Sequence, residues 1–259
     1  MKASEWLAQL GESWTKARQE KIVQAAADMQ MLPIIWKDVV IHLPGCEQLV
    51  LQVSHDALRF GEYDDFVRIN CSALDAQLIA DIYDARLPTE KISDLVHVQA
   101  EMTIEPCLSK GDAGMASSSR MLWHSQAVSK KIGVLEFSAC PFVNSVGKDW
   151  VLTNHYPKNH GANYGWHTKT RPNPEHPEWG PFPCRAGGYV FQPRGTTHDI
   201  WHTDYSQVLR LVHRYAHLVN GDDVKELELD DVLTRADLAP FVSYEGPLKY
   251  VRHPNIPKQ

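Results

Sequence analysis

Hydrophobic residues near the start of the chain recur at the spacing of an α-helix. Over residues 4 to 28 these positions are Trp6, Leu7, Leu10, Trp14, Ala17 and Ile22. Residues three or four apart lie on one face of a helix, so this spacing predicts an amphipathic helix that packs on the main body. Ser4 precedes the apolar run and is suited to cap its N-terminus.

A different pattern follows at residues 36 to 53. The segments WKDVVIHL and EQLVLQV are rich in β-branched residues, and PGC separates them. Because proline and glycine favour turns and β-branched residues favour strands, this stretch predicts a strand, a turn and a second strand.

The middle of the chain carries three helical patterns. Ser72 followed by Asp75 forms a capping-box pattern at the start of CSALDAQLIADIYDA, whose apolar residues fall on one face. Thr89 is suited to cap a second helix in LPTEKISDLVHVQAEMTI, and a third pattern runs from Ser118 to Lys131. The middle of the protein is therefore predicted to be helical.

The pattern changes again after Ile132. WVLTN, GGYVFQP and SQVLRLV have the character of strands, whereas RPNPEHPEWGPFPCRAGG holds too much proline and glycine for regular structure. A long loop that keeps tryptophan and phenylalanine is more typical of a functional segment than of disorder.

These patterns together predict an α+β fold, with a helical N-terminal and middle part packed on a β-rich C-terminal unit. A length of 259 residues agrees with one large domain. Within the domain 1–259, we predict that residues 1–30 form a packed helical extension and that residues 132–217 form the β-rich part that carries the site.

Composition and charge narrow the classes of partner. Hydrophobic residues make up 43% of the chain and charged residues 22%, which is typical of a folded globular protein. A formal net charge of -6 leaves no excess of cations to neutralise phosphates, so nucleic acid is not an expected partner. No apolar run reaches the roughly 20 residues that span a bilayer, and the first residues lack the apolar core of a secretion signal. We therefore expect no membrane association and a cytoplasmic location.

The cysteines do not form a recognisable framework. They are odd in number, widely spaced and without a Cys-x-x-Cys pair, so they predict buried thiols rather than disulfides or a zinc ribbon. The five are Cys46, Cys71, Cys107, Cys140 and Cys184.

Histidines, in contrast, concentrate in the β-rich part. Eight of the 13 lie there, at His155, His160, His167, His176, His198, His202, His213 and His217. NYGWH places His167 at the end of a predicted strand, behind a glycine, and QPRGTTHDIWHTDYS places His198 and Asp204 around a turn. A base in a hydrolytic site needs a second group that fixes its tautomer, which makes His198 with Asp204 a candidate pair.

A family resemblance rests on the segments DDFVRI, AQLIADIYDARLPTEKISDLV, GKDWVLTN, YGWH, QP followed by H, and DYSQVLRLV. Together, over roughly residues 50–213, they resemble a bacterial family known chiefly as uncharacterised hypothetical proteins. The resemblance implies functional positions at Lys148, Asp149, His167, Gln192, His198, Asp204, Tyr205, Ser206 and Arg210. The chain departs from the family pattern in carrying Gln207 where a histidine is expected, and in its Pro-rich insertion after His167. No established reaction comes with the resemblance.

The combined prediction is a hydrolase-type enzyme with an acid–base site of histidine and aspartate. The predicted catalytic residues are His167, His198 and Asp204. The predicted substrate-binding residues are Lys148, Asp149, Tyr164, Trp166, Gln192, Tyr205, Ser206 and Arg210. We expect these groups to converge on one cleft that takes a small molecule or a polymer, such as an amide or saccharide polymer. The sequence identifies no cofactor, no metal ligand and no oligomeric state.

Two other functions remain open at this point. In the first, the protein is a non-catalytic binding protein whose recognition surface is formed by Trp150, Trp166, Trp179 and Trp201. In the second, His202 and Asp204 form the His-x-Asp pair of a metal-dependent oxygenase, for which His253 is the only histidine far enough downstream.

A weaker similarity concerns residues 70–88, which resemble the nucleophile helix of papain-like cell-wall endopeptidases. It implies Cys71 as a nucleophile at a helix N-terminus, where a thiolate is favoured. Cys140, in SACPFVN, is a weaker candidate for the same role.

Overall fold

The computed structural model describes residues 1–45, 47–133 and 140–258. Its helices are α1 (Ala3–Leu10), α2 (Lys16–Ala27), α3 (Ala73–Ile82), α4 (Glu90–Gln99), α5 (Ser118–Ile132), α6 (Leu229–Thr234) and α7 (Ala239–Val242). Its strands are β1 (Trp36–His42), β2 (Gln48–Ser54), β3 (Arg59–Glu62), β4 (Asp65–Arg68), β5 (Ala85–Arg86), β6 (Met102–Thr103), β7 (Val143–Asn144), β8 (Lys148–Trp150), β9 (Asn163–Thr168), β10 (Phe182–Pro183), β11 (Tyr189–Gly195), β12 (Gln207–Val208), β13 (Val212–Asn220) and β14 (Asp223–Glu228). The predicted α+β class is confirmed.

Two five-stranded sheets organise the described part of the chain. Sheet I has the order β1-β2-β13-β14, with β5 also paired to β13, and it is antiparallel. Sheet II has the order β10-β11-β9-β8-β12, in which only β8 and β12 run parallel. Sheet I joins residues 36–54 to residues 212–228, so the two strands predicted near the start of the chain share a sheet with strands that extend past residue 217.

The predicted strand, turn and strand at residues 36 to 53 are confirmed. β1 and β2 form an antiparallel pair in which Trp36 lies opposite Ser54 and His42 opposite Gln48. Cys46, in the predicted turn, lies outside the described residues.

The helix caps predicted in the middle of the chain are also confirmed. The Ser72 hydroxyl accepts a hydrogen bond from the Asp75 N–H, and the Asp75 carboxylate accepts one from the Ser72 N–H. The Thr89 hydroxyl accepts from the Ile92 N–H at the start of α4. Side chains that satisfy the free N–H groups of the first turn fix where α3 and α4 begin.

The single helix predicted over residues 4–28 is wrong, because the chain forms two helices there. Gly11 follows α1 with a φ of +83°, a conformation that ends a helix. Thr15 then caps α2 by accepting from the Arg18 N–H. Ser4 lies inside α1 rather than at its cap, and its hydroxyl donates to Asp65.

Two predicted strands are shorter than their sequence patterns. In WVLTN only Trp150 belongs to a strand, because β8 ends there. SQVLRLV is divided between β12 in sheet II and β13 in sheet I, so the chain changes sheets between Val208 and Val212. β-Branched residues thus mark buried chain here, but only pairing decides which of them form strands.

The main hydrophobic core lies between sheet I and the helices. It includes Trp6, Ile22, Leu51, Ile79 and Val232, each at most 5% exposed. Segment 171–188 has little regular structure, as predicted, apart from a short 3-10 helix at Pro177–Trp179 and strand β10. Within the described ranges, no helix has the length and apolar content needed to cross a bilayer.

Candidate functional site

Strand β8 divides the predicted site residues between the two faces of sheet II. Lys148 and Asp149 are adjacent on this strand, and successive side chains of a strand point to opposite faces. The Lys148 ammonium lies 2.8 Å from the Asp204 carboxylate, whereas Asp149 accepts a hydrogen bond of 2.8 Å from the Ser93 hydroxyl. Each face holds its own polar cluster.

The first cluster borders an open cleft, which we call the His202 cleft. Its lining residues are Trp14, Ala116, Asp199, Trp201, His202 and Thr203. Trp14 is 39% exposed and Trp201 is 38% exposed, so both present aromatic surface to solvent. Aromatic walls around a few polar groups are typical of ligand sites.

A buried ion pair belongs to the same cluster. Lys148 and Asp204 are 8% and 4% exposed, and Asp204 also accepts hydrogen bonds from the Ser206 N–H and hydroxyl. Burial alone would raise the pKa of Asp204, but Lys148 and Ser206 outweigh it and hold the pKa below its ordinary value. Asp204 is therefore an ionised carboxylate at neutral pH.

Two stacked histidines lie near this pair. The rings of His198 and His202 are parallel within 4°, with centroids 3.8 Å apart. Burial lowers the pKa of both imidazoles below the ordinary value; the charge of Lys148 adds to this effect, and Asp204 opposes it. Both rings are thus uncharged at neutral pH and able to accept a proton.

Backbone hydrogen bonds hold the turn that carries these histidines. The Gly161 N–H donates to the His198 carbonyl, and the Leu74 N–H donates to the Ile200 carbonyl, each at 3.0 Å. A Cβ atom at Gly161 would lie 2.5 Å from the Ala73 Cβ, so only glycine allows this close approach. The turn is therefore attached to α3 and not free on the surface.

Several buried polar atoms around the ion pair have no hydrogen-bond partner within the described structure. They are Trp166 Nε1, His124 Nε2 and Thr203 Oγ1. Trp166 lies with its ring 5.6 Å from the Lys148 ammonium, and Thr203 lines the cleft. Unpartnered buried polar groups are costly, so these atoms are available to water or to a bound molecule.

The second cluster surrounds Asp94 of α4, and we call it the Asp94 cluster. The Asp94 Oδ1 atom accepts from the Tyr164 hydroxyl at 2.6 Å and lies 2.7 Å from His167 Nε2 and 3.3 Å from Cys184 Sγ. Its Oδ2 atom accepts from the Tyr244 hydroxyl at 2.7 Å. Burial opposes ionisation of Asp94, but the hydrogen bonds from His167 and the tyrosines hold its pKa below the ordinary value.

An irregularity in β9 allows Tyr164 and His167 to reach the same carboxylate. Residues three apart on a regular strand point to opposite faces. Gly165 and Trp166, however, have φ angles of +118° and +60°, which interrupt the alternation. A φ above zero is easy for glycine and uncommon for tryptophan, so this local distortion positions the cluster.

The outer part of the Asp94 cluster approaches the surface. The His97 ring stacks on His167 with centroids 4.3 Å apart, and the Asn144 amide lies 3.0 Å from His97 Nδ1 and 3.3 Å from His167 Nδ1. Burial and the neighbouring His167 lower the pKa of His97 to about 4. Burial raises the pKa of the half-buried Cys184 thiol to about 11, so it is protonated at neutral pH.

Asp149 and Arg210 lie on the Asp94 side but have structural partners. Arg210 is 1% exposed and donates to the carbonyls of Ser54 and Val143. Its Nε lies 3.7 Å from Asp149, whose pKa is raised by burial despite this charge. Arg210 thus links the two sheets where the chain crosses between them.

The expectation that all predicted site residues converge on one cleft is wrong. His167, Asp149, Tyr164 and Arg210 belong to the Asp94 side, and no described hydrogen bond, ion pair or ring contact joins His167 to His198. The residues on the His202 side are Lys148, Trp166, His198, Asp204, Tyr205 and Ser206. Gln192 joins neither cluster, since its amide donates to the Pro193 carbonyl. Alternation along β8 separates Lys148 from Asp149, and the positive φ angles at Gly165 and Trp166 bring His167 to the side of Tyr164.

The proposed pairing of His198 with Asp204 is also not formed. The Asp204 carboxylate bonds to Lys148 and Ser206, while His198 stacks on His202. The carboxylate that orients a histidine is instead Asp94, beside His167.

The oxygenase ligand set does not assemble. His253 lies against the His160 carbonyl and the Tyr156 ring, away from His202 and Asp204. Among the described residues, the one group of three or more potential metal ligands is formed by Asp94, His167 and Cys184, whose ligand atoms all lie within 4.8 Å of one another.

The cysteine hypotheses have different outcomes. Cys71 is fully buried, and burial raises the pKa of its thiol well above the ordinary value, so it lacks the exposed thiolate of a nucleophile. Cys107 is buried as predicted, whereas Cys140 and Cys184 are half-buried. Cys46 lies outside the described residues.

The predicted aromatic surface differs from the one that the structure presents. Trp150 and Trp166 are buried, at 2% and 6% exposure, and the side chain of Trp179 lies outside the described residues. Trp201 is exposed as the hypothesis requires, and its partner across the cleft is Trp14, which the sequence placed on a helix face.

Sequence reasoning did not find the residues that complete the Asp94 cluster. Asp94 is one of several acidic residues on a helix, Cys184 lies in an irregular loop, and Tyr244 is near the C-terminus. They are separated by up to 150 positions along the chain. The Pro-rich loop around Cys184 was the one available signal, because such loops are often functional.

Comparisons of the chain with protein-family profiles, with curated proteins and with solved structures found no match.

Proposed function

We propose that the protein is a hydrolase that uses His202 as a general acid–base on a polymeric amide or saccharide. One observation carries the proposal. An imidazole that is uncharged at neutral pH lines an open cleft, near a buried Lys148–Asp204 ion pair and between two exposed tryptophans. A base, a positive charge and a binding surface are the parts that hydrolysis needs.

Each group has a role that follows from its surroundings. His202 takes a proton from the attacking water and later returns it to the leaving group, and the stacked His198 restrains its ring. The Lys148 ammonium favours negative charge that develops on the substrate oxygen. Asp204 holds Lys148 in place, and Ser206 holds Asp204.

The shape of the surface supports an extended substrate. Trp201 lines the His202 cleft and also a second cleft along α2, which includes Val23 and Leu78. The two clefts therefore share one wall, and the Lys16 ammonium lies 5.4 Å from the Trp201 ring. A sugar ring or an apolar peptide segment packs well on an exposed indole face. A net charge of -6 argues against nucleic acid as the polymer.

Turnover of a panel of amide and saccharide polymers, cell-wall polymer included, tests the proposal. We expect His202→Ala to lower kcat by on the order of 10²- to 10⁴-fold. His217→Ala serves as the matched control, because this half-buried histidine lies on sheet I, and it should retain full activity. Equal activity of His202→Ala and the wild type on a substrate that the wild type cleaves would reject the role of His202.

A non-catalytic binding protein is the second candidate, favoured by Trp14 and Trp201 on one cleft. If no polymer is cleaved but one is bound, and Trp201→Ala removes binding while His202→Ala does not, this second candidate is the better account. Tight binding of a polymer without turnover therefore distinguishes the binding protein from the hydrolase.

A further inference from the structure

Three side chains with metal-binding atoms converge beneath the Pro-rich loop, apart from the His202 cleft. Asp94 comes from α4, His167 from β9 and Cys184 from the end of segment 171–188. Their ligand atoms all lie within 4.8 Å of one another, and Asp94 and His167 are each 1% exposed. Three distant parts of the chain thus bring an oxygen, a nitrogen and a sulfur atom to one point.

We propose that Asp94, His167 and Cys184 bind a zinc-class divalent transition metal ion. Carboxylate, imidazole and thiolate are the ligands that Zn²⁺ takes in proteins, and a thiolate disfavours Mg²⁺ and Ca²⁺. Three protein ligands leave the fourth tetrahedral position open to water or to a small ligand. This proposal does not depend on the proposed hydrolase function.

The distances from Asp94 to the other two ligand atoms require only a small adjustment. Zn²⁺ bonds of about 2.0–2.3 Å in a tetrahedron place ligand atoms roughly 3.3–3.7 Å apart. Asp94 Oδ1 lies 2.7 Å from His167 Nε2 and 3.3 Å from Cys184 Sγ. The histidine and the carboxylate therefore separate by about half an ångström to admit the ion. Cys184 is half-buried, so the ion enters from the side of the loop.

The surrounding groups match those that support metal ligands. The Tyr164 and Tyr244 hydroxyls donate to the two Asp94 oxygens and fix the carboxylate. The Asn144 amide lies 3.3 Å from His167 Nδ1, where its oxygen can accept the ring N–H if the amide is turned over. Partners of this kind orient a ligand and strengthen its bond to the metal.

Binding of the metal ion releases protons and changes no oxidation state. The Cys184 S–H bond breaks and its proton leaves to solvent as the sulfur–metal bond forms. The imidazole binds through Nε2, so any proton on that nitrogen also moves to Nδ1 or to solvent. The carboxylate, already an anion, gives up its hydrogen bonds from His167 and Cys184.

Titration of the metal-free full-length protein with Co²⁺ tests the site directly. We expect one equivalent to produce an intense thiolate-to-cobalt charge-transfer band, which one equivalent of Zn²⁺ removes. Cys184→Ser should abolish the band, and His167→Gln should weaken Co²⁺ binding at least about tenfold. Cys107→Ser is the matched control and should keep the band, because Cys107 lies outside the cluster.

The melting temperature of the wild type provides a readout that does not depend on the variants. Zn²⁺ that binds only the folded state should raise Tm by an amount that grows with the logarithm of its concentration over Kd. If the wild type shows neither the cobalt band nor a Zn²⁺-dependent rise in Tm, the site does not exist. A band that persists in Cys184→Ser would equally overturn the assignment.

Discussion

The Asp94 cluster and the His202 cleft use similar side chains in opposite ways. In the first, the carboxylate is buried and receives four neighbours. In the second, the carboxylate is occupied by Lys148 and Ser206, and the stacked histidines His198 and His202 are half-exposed. A satisfied buried network stabilises a fold, whereas an unsatisfied group beside a cleft is available for chemistry. Mutations in the Asp94 cluster should therefore chiefly affect stability, whereas mutations of the half-exposed histidines at the cleft should chiefly affect activity.

The largest expected effect on stability is in the Asp94 cluster. Asp94→Leu leaves the buried Tyr164 and His167 donors without an acceptor, and each such donor costs about 1–3 kcal/mol. We expect the free energy of unfolding to fall by on the order of 4 kcal/mol in urea denaturation. Asp199→Leu, at an exposed position of the His202 cleft, is the control; it removes the hydrogen bond from the Trp201 N–H and should change the free energy of unfolding by about 1 kcal/mol or less. Equal losses in the two variants would remove the distinction between the regions.

Removal of Lys148 should cost slightly less. Lys148→Met leaves the buried Asp204 carboxylate without its counter-ion, and breaking a buried pair in this way costs about 3–5 kcal/mol. Ser206 retains part of the support for Asp204, so we expect a loss at the lower end of this range, about 3 kcal/mol. Thermal unfolding measures the loss against Lys158→Met, whose side chain is exposed. The double variant Lys148→Met with Asp204→Leu should recover most of the stability, because no lone charge remains. A double variant as unstable as the single one would show that the pair acts through more than its charge.

Stability should also depend on pH through His124, whose ring packs against Trp166 and Tyr205 on the His202 side. Burial, chiefly, lowers the pKa of His124 from 6.5 to about 3, so the unfolded chain takes up a proton that the folded protein excludes. The folded-state pKa is depressed, so stability is full above pH 6.5 and falls as the pH drops from 6.5 towards 3, by about 1.4 kcal/mol per pH unit from this residue. His124→Phe should flatten the slope between pH 6 and pH 4 by that amount. An unchanged slope would mean that His124 is protonated in the folded state.

The acid limb of the pH profile of kcat/KM should lie at a lower pH than an ordinary histidine would give. Since burial lowers the pKa of His202, the base stays unprotonated below pH 6.5, and kcat/KM should fall only as the pH drops through this lowered value. His198→Ala should move the limb towards higher pH, because His198 is stacked on His202 and its removal opens the site to water. A limb at or above the ordinary histidine value would argue that His202 is not the base.

Cys71 should give the smallest effect. Cys71→Ala removes one buried sulfur atom and should lower the free energy of unfolding by about 1 kcal/mol without a change in activity. An alkylating reagent should modify Cys184 well before Cys71, because Cys184 is half-buried and Cys71 is fully buried. Rapid alkylation of Cys71 with loss of activity would restore the thiol-hydrolase hypothesis.

Local sequence determined where α3, α4 and α5 lie, and it also determined β1 and β2. Capping side chains such as Ser72 and Thr89 act on N–H groups within three residues, so their effect is visible in the sequence. The concentration of histidines does not mark one site, because His167 belongs to the Asp94 cluster whereas His198 and His202 stack beside the cleft. The apolar pattern also does not show the break between α1 and α2, because Gly11 ends the first helix and Thr15 caps the second within a continuous apolar pattern.

Only the tertiary structure decided which polar residues meet. A one-residue step along β8 sends Lys148 and Asp149 to different faces, and a positive φ at Gly165 and Trp166 returns His167 to the face of Tyr164. The partners then come from distant elements, as Asp94 does for His167. Residue type and spacing determine the chemistry that the chain can perform, but strand pairing, register and backbone distortion decide which groups are close enough to perform it, because these depend on contacts that local sequence does not specify.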